Sequence, residues 1–320
     1  MRVLITGGEG FAGSHLLDLL LGESTPPKVS CLVHPDSDLE NLAHATDRID
    51  VIRTDIRDRK AVSDAVARSR PDAVYHLAGI AFVPSASSNP AAVYEVNLLG
   101  TLNLLEALRE NAPYSSTLLV SSAEVYGVLE PGSDPLTEDD PLRPVNHYGV
   151  SKASMELCAL PYTRGEGALH LVLVRPFNHI GPRQSPQFVV SSFCRQIAKI
   201  EAGLEDPVLR VGNLEARRDF TDVRDVVRGY RILLEKGACT GAYNLSSGRA
   251  PSVREVVERI IALAGVDVDL QVESGRLRST DNPLALGSSA KARKETGWEP
   301  KIPLDTSLAD TLEYWKKRIN

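Results

Sequence analysis

A doubly wound α/β fold, with a parallel sheet between two helical layers and a smaller C-terminal α/β lobe, is what this sequence predicts. Three observations carry that expectation. Short apolar, β-branched runs alternate with helix-like stretches through the first half of the chain, the pattern of a parallel sheet covered on both faces. A glycine cluster lies between the first such run and the first helix. From Phe177 onward the pattern changes, with punctuation at Gly181, Pro182 and Pro186.

The elements follow in order. Arg2–Thr6 (RVLIT) is a strand, and the glycines after it lead into a helix over Ser14–Leu21. Val29–Val33, Ile49–Thr54 and Ala73–Leu77 are the next strands, with a helix around Arg59–Arg68 before the last of them. Ala91–Glu110 reads as one long helix with Leu98, Leu102, Leu105 and Leu108 on one side. Thr117–Ser121 and Leu169–Arg175 are strands around a helix at Tyr148–Leu160. Helices return at Phe188–Glu201, Val223–Glu235 and Ser252–Ala264. Residues 1–178, with 218–245 and part of 296–320, are expected to form the sheet domain. Residues 179–217 and 246–295 form the smaller lobe, so the two interleave.

With 320 residues the chain is long enough for two lobes. Its formal charge of −6 argues against a nucleic-acid surface, which needs a basic stripe. No run reaches the ~20 apolar residues of a membrane helix. The opening Met1-Arg2-Val3-Leu4-Ile5 leaves no room for a secretory signal before Gly7. Four cysteines, Cys31, Cys158, Cys194 and Cys239, are spaced too widely for a zinc site or a compact disulfide framework. A reducing cytoplasm is the expected location.

The turn Thr6-Gly7-Gly8-Glu9-Gly10-Phe11-Ala12-Gly13 lets backbone N–H groups approach a pyrophosphate, whose charge the following helix N-terminus favours. Gly7, Gly10, Phe11, Ala12 and Gly13 are therefore candidate dinucleotide contacts. An acid at the end of the second strand commonly binds the adenosine ribose 2′-hydroxyl, and here Val33 stands in its place. Without that carboxylate NADP(H) becomes the preferred expectation, with NAD(H) possible. His34 or Ser37 is a candidate phosphate contact, and His34 is equally an ordinary surface histidine. Asp55 and Ile56 are candidates to bracket the adenine. Leu77, Ala78 and Gly79 are small enough for a cofactor to lie close to the sheet edge.

Tyr148-Gly149-Val150-Ser151-Lys152 places a phenol and an ammonium four residues apart, on one helix face. A phenol with a pKa near 10 is a poor acid–base at neutral pH. A cation within ~4–6 Å lowers such a pKa by ~1–3 units. The pair suits redox chemistry at a hydroxyl or carbonyl carbon. Ser122, in the loop after the fifth strand, is placed to polarise the reacting oxygen. Glu124 is a second candidate acid–base, or else a solvated loop carboxylate.

Taken together, Thr6–Gly13, Ser122, Tyr148 and Lys152 resemble the extended short-chain dehydrogenase/reductases, a Rossmann-type superfamily that mostly modifies nucleotide sugars. Asn97 and Gly100, and Arg175-Pro176-Phe177-Asn178, support the likeness. Residues 177–186 and 211–225 narrow it to the GDP-mannose 4,6-dehydratase group, and within it to the GDP-6-deoxy-D-mannose reductases. Arg183 stands where that pattern has glycine, and His147 where it has proline or serine. The resemblance implies a nucleotide-sugar substrate, GDP-linked by preference. Asn178, Arg218, Arg278 and Asp281 would contact it, with Ser122, Ala123 and Glu124 at the sugar. It also implies a homodimer through the helices Ala91–Glu110 and Tyr148–Leu160.

Relatives in this group differ in chemistry. A 4,6-dehydratase needs an acid and a base beyond the tyrosine, usually from Thr-Asp-Glu or Thr-Ser-Glu. Here the loop reads Ser122-Ala123-Glu124, and Ala123 can neither give nor take a proton. Reduction of a C4 ketone, giving GDP-D-rhamnose, is the expected activity. Dehydration, C4 epimerisation and non-catalytic redox sensing are the alternatives. Sensors of this fold commonly lose the Tyr or the Lys, and both are present.

Overall fold

The computed structural model describes residues 1–238, 241–273, 275 and 282–319. Its centre is a seven-stranded sheet built from β1 (Arg2–Thr6), β2 (Lys28–Val33), β3 (Asp50–Arg53), β4 (Ala73–His76), β5 (Ser116–Val120), β6 (His170–Pro176) and, from further along the chain, Ala242–Leu245. The order runs β3-β2-β1-β4-β5-β6 and then 242–245, with every pairing parallel. The chain moves outward from β1 to β3 and then crosses back to β4 on the other side of β1. Ligands of doubly wound sheets bind at such a reversal, outside the carboxyl ends of the strands. Here those ends carry the glycine turn after β1 and Leu77–Gly79 after β4.

Two apolar layers hold the sheet. On one face α1 (Phe11–Leu21) buries Leu16, Leu17 and Leu20 beside Val226, Val227, Tyr230 and Leu233 of the helix Val223–Lys236. On the other, α2 (Arg59–Ser69) contributes Val62 and Val66 to a core shared with Leu104, Leu105 and Leu108. Burying each such side chain stabilises by roughly 1.5–3 kcal/mol, so packing rather than helix propensity decides these elements. The first helix starts at Phe11, three residues before the expected Ser14, because Gly10 supplies an extended N-cap.

Two short helices, α3 (Val83–Ser88) and α4 (Pro90–Tyr94), come next. The long helix expected over Ala91–Glu110 is broken: α4 passes through a π-turn at Glu95–Leu99 into α5 (Gly100–Asn111). Its buried stripe is Leu104, Leu105 and Leu108, whereas Leu98 and Leu102 are only half-buried. Asn97 is buried within the π-turn. Its amide oxygen accepts from the Ile80 N–H at 2.8 Å, and its Nδ2 donates to Ile80 O and to Ser151 Oγ. These bonds tie the end of β4 to α6 (His147–Ala159).

The remaining chain alternates between a second core and the sheet. The elements are β7 (Asn178–Ile180), α7 (Val189–Glu201), β8 (Val208–Val211), β9 (Arg217–Arg218), β10 (Phe220–Asp222), α8 (Val223–Lys236), β11 (Ala242–Leu245), α9 (Val253–Ala264), β12 (Asp269–Val272), β13 (Leu284–Ala285), α10 (Ala290–Thr296) and α11 (Leu304–Ile319). Strands β7 and β10, β8 and β12, and β9 and β13 form two-stranded parallel pairs. Phe193, Cys194 and Ile197 of α7 pack with Val256, Val257 and Ile260 of α9 and Leu308 and Leu312 of α11.

The last elements divide between the two cores. Helix α10, within 246–295, packs on α8 and β11, and Ala292 joins the sheet-side core. Trp298 joins it too, fully buried, with its indole N–H donating to Asp225 O at 2.9 Å. Beyond it, α11 packs on α7 and α9. Among the described residues Cys31, Cys158 and Cys194 are free thiols. No described helix is long and apolar enough to cross a membrane.

Candidate active site

The glycine turn sits against the end of β4. Gly7 has φ +70°, and a β-carbon there would lie 2.8 Å from the Ala78 backbone nitrogen. A β-carbon at Gly13 would lie 2.2 Å from Gly7 O. Side chains are thus excluded at both positions, and the backbone of the turn stays bare. Gly10 caps α1 without a side-chain hydrogen bond, leaving first-turn N–H groups facing the mouth of the turn. This donor set fits a pyrophosphate. Beside it, half-buried Phe11 stacks on His179 with ring centroids 5.7 Å apart, and Ala12 is also half-buried.

The end of β2 holds a group that spacing along the strand does not reveal. Glu9 Oε1 accepts from the His34 N–H at 3.0 Å and from Ser37 Oγ at 3.1 Å. A carboxylate therefore lies where Val33 left one missing, delivered from the turn instead of the strand. The imidazole of His34 is exposed and lies 3.9 Å from Asp55. Asp55 is gripped by Arg57, whose Nη2 donates to Oδ2 at 2.7 Å, and that bond holds the Asp55 carboxyl below its ordinary pKa. Ile56 is buried against Gly100 in the core under α5, leaving little of it to pack on an adenine. Leu77 and Ala78 are half-buried and Gly79 is exposed at the carboxyl end of β4.

His76 belongs to the scaffold. Its two ring nitrogens meet Thr6 Oγ1 at 2.7 Å and Thr101 Oγ1 at 2.8 Å, and burial, helped by the Lys152 charge, pushes its pKa down to about 3. It is neutral and fully partnered.

The catalytic candidates converge beyond β5 and at the start of α6. Asn146 caps α6, its Oδ1 accepting from the Gly149 N–H at 2.8 Å. One helical turn of α6 separates Tyr148 from Lys152, and both are buried. Tyr148 lies close enough to Ser122 for the hydroxyl to favour its phenolate. Burial pushes the phenol up to about 12, against that effect, with the charge of Glu124 adding to the rise. Lys152 is brought down to about 8, chiefly by burial and opposed by the charge of Glu156. Its Nζ donates to Val120 O at 2.7 Å and would lie 3.5 Å from a β-carbon at Gly79.

The expected lowering of Tyr148 by Lys152 is absent here: desolvation outweighs any charge effect, and the ammonium is directed at the β5 carbonyl. Ser122 starts a short helical turn over Ala123–Val125, where its Oγ accepts from the Glu124 N–H. Glu124 Oε2 accepts from Asn146 Nδ2 at 2.7 Å.

The candidates on the second lobe are more scattered. Asn178 is exposed on β7, paired in register with Phe220. Arg218 lies on β9, and its Nη1 donates to Arg217 O. Arg278 and Asp281 lie outside the described residues. Arg183 takes the left-handed conformation, φ +72°, as expected of a position that elsewhere carries glycine, and its Nη2 donates to Asp18 Oδ2 at 2.6 Å. His147, at the first position of α6, meets Tyr94 Oη through Nδ1 at 3.0 Å.

Sequence reading overlooked a buried ion pair behind the site. Arg175 Nη2 donates to Glu156 Oε2 at 2.6 Å, and its Nη1 donates to Tyr126 Oη. The signal was available, since a charge inside an apolar strand needs a partner.

A seven-stranded doubly wound sheet with a glycine turn at its reversal, and Ser122, Tyr148 and Lys152 beside it, has the architecture of the extended short-chain dehydrogenase/reductases. The chain belongs to the GDP-mannose 4,6 dehydratase family, whose model matches residues 4–311. It is 36% identical to a GDP-6-deoxy-D-mannose reductase of Pseudomonas aeruginosa, over 99% of this chain and 98% of that protein. RMD from Pseudomonas aeruginosa, solved in complex with NADPH, superposes with a TM-score of 0.86 at 35% identity, covering 99% of this chain and all of that one. A Thermus thermophilus UDP-glucose 4-epimerase solved with NAD gives 0.87 at 31% identity, covering 99% of each chain. Reductase, dehydratase and epimerase thus share one scaffold, and the chemistry has to be argued from the site.

Proposed function

We propose that this chain reduces the C4 ketone of GDP-4-keto-6-deoxy-D-mannose to GDP-D-rhamnose, using a nicotinamide dinucleotide. The observation that carries this reading is the buried proton donor Tyr148 beside a loop that offers no acid at position 123. Tyr148, its phenol pushed up to about 12 by burial, keeps its proton at neutral pH and lies beside Ser122. Ala123 offers no proton, and Glu124 is held by Asn146. Reduction needs one acid; elimination of water needs a further acid and base. The similarity to the Pseudomonas aeruginosa reductase supports the same choice.

Gly7, Gly10, Phe11, Ala12 and Gly13 would hold the pyrophosphate, and Leu77–Gly79 the passage towards the nicotinamide. The dinucleotide, when bound, supplies the hydride that reaches C4. Ser122 orients the ketone oxygen by hydrogen bonding, Tyr148 gives that oxygen its proton, and Lys152 lies at the same end to grip the ribose. The net change is one hydride to carbon and one proton to oxygen. Asn178 and Arg218 would meet the nucleotide diphosphate, a guanidinium being suited to phosphate oxygens. Val33 leaves strand β2 without an acid, which favours NADP(H), while the Glu9 carboxylate beside His34 and Ser37 favours NAD(H). Homodimerisation through the outer faces of the 90–111 segment (α4, the π-turn and α5) and of α6 is part of the proposal. Leu99 and Leu157, 50% and 60% exposed, lie on these two elements.

The test is incubation of the purified protein with the 4-keto sugar and reduced cofactor. One cofactor oxidised per GDP-D-rhamnose formed, identified by NMR, is expected. Water loss from GDP-mannose with no net change in the cofactor would identify a dehydratase instead.

A further inference from the structure

We propose that Glu9 selects the cofactor, its carboxylate accepting an adenosine ribose hydroxyl and excluding a 2′-phosphate, so that the chain prefers NAD(H) to NADP(H). The inference rests on the reading that the glycine turn binds a dinucleotide.

Glu9 belongs to that turn, but its side chain crosses to the loop after β2. Two contacts fix it there, His34 N–H and Ser37 Oγ donating to Oε1, while Asn41 Nδ2 donates to the Glu9 backbone carbonyl at 3.0 Å. The other carboxylate oxygen, Oε2, is shielded from solvent and has no hydrogen-bond partner. One oxygen thus anchors the group, and the other is left as an acceptor. In this fold the carboxylate that receives the ribose 2′-hydroxyl stands at the end of the second strand. Glu9 brings the same group to the same place by another route.

The surrounding charges point the same way. A 2′-phosphate adds about −1.5 to −2 charges near neutral pH and would face Glu9 with Asp55 close by. Two cations of this region are held in other contacts, and only one of them is paired with carboxylates. Arg53 Nη1 donates to Pro35 O and Ser37 O at 2.6 and 3.0 Å. Arg57 is paired with Asp55 and Glu95. A hydroxyl, by contrast, adds no charge and can donate to the carboxylate. Juxtaposed like charges are a strong means of rejecting a wrong ligand.

The experiment is calorimetric titration of NAD⁺ and NADP⁺ into the intact protein and into Glu9→Gln and Glu9→Ser, with circular dichroism to confirm folding. The wild type is expected to bind NAD⁺ at least about tenfold more tightly than NADP⁺. Glu9→Gln keeps the shape and removes the charge, so NADP⁺ should tighten by about tenfold while NAD⁺ changes little. Glu9→Ser should tighten NADP⁺ and weaken NAD⁺. A wild type that prefers NADP⁺, or an NAD⁺/NADP⁺ ratio unmoved in both variants, would overturn the role of Glu9 alone. Binding of neither dinucleotide to the folded wild type would overturn it together with the reading beneath it.

Discussion

Asn146 Nδ2 donates to Glu124 Oε2 at 2.7 Å while its side-chain Oδ1 caps the helix that carries Tyr148. Glu124 therefore anchors the loop after β5 to the start of α6, setting Ser122 against Tyr148. That makes it a positioning residue in a reductase, whereas an elimination would require it to exchange protons. The two roles separate on substitution. Glu124→Gln keeps a side-chain oxygen towards the Asn146 amide, and ketone reduction is expected to stay within about threefold of wild type. Loss of an acid–base group costs ~10²–10⁴, and a fall of that size in steady-state turnover would contradict the positioning role.

Tyr148→Phe removes the only proton donor placed at the ketone oxygen in this reading. Reduction should fall by ~10²–10⁴ with dinucleotide affinity nearly unchanged. Ser122→Ala removes an orienting hydrogen bond and should cost ~10²–10³, mainly in kcat. Steady-state rates paired with cofactor titration check both. Equal losses in binding and turnover would mean that the site had collapsed.

The pH profile follows from Lys152. Its pKa is lowered to about 8, so the ammonium is present below that pH and lost above it. Tyr148, near 12, stays protonated throughout this range. The value of kcat/KM for reduction should therefore be flat near neutrality and fall as pH rises through about 8. Lys152→Met should lower the plateau and abolish that inflection. A rate that climbs through pH 8 would instead mean that a deprotonated base is needed.

Much of this was legible in the sequence because burial on both faces forces the sheet strands into short continuous apolar runs. The glycine turn was legible too, since Gly7 and Gly13 have no room for a β-carbon. What escaped depends on contacts distant along the chain. The π-turn at Glu95–Leu99 accompanies bonds from Asn97 to Ile80 and Ser151, and no periodicity encodes those. Strands β9 and β13 have two residues each, too few to show a period. Helix α11 is amphipathic but does not name its partner. Glu9 is not legible from strand spacing, because the fold brings two loops together.

Arg183 offers a test of backbone strain against an ion pair. A non-glycine residue at φ +72° costs on the order of 1–2 kcal/mol. Its partly exposed contact with Asp18 returns ~0–1 kcal/mol. Arg183→Ala keeps the strain and loses the contact, so unfolding in urea should show a loss of up to about 1 kcal/mol. Arg183→Gly also loses the contact but relieves the strain, at an entropic cost of roughly 0.5–1 kcal/mol in the unfolded chain. The glycine variant should therefore be at least as stable as the alanine variant and within about 1 kcal/mol of wild type. If alanine proved the more stable of the two, the left-handed conformation could not be what the turn requires at this position.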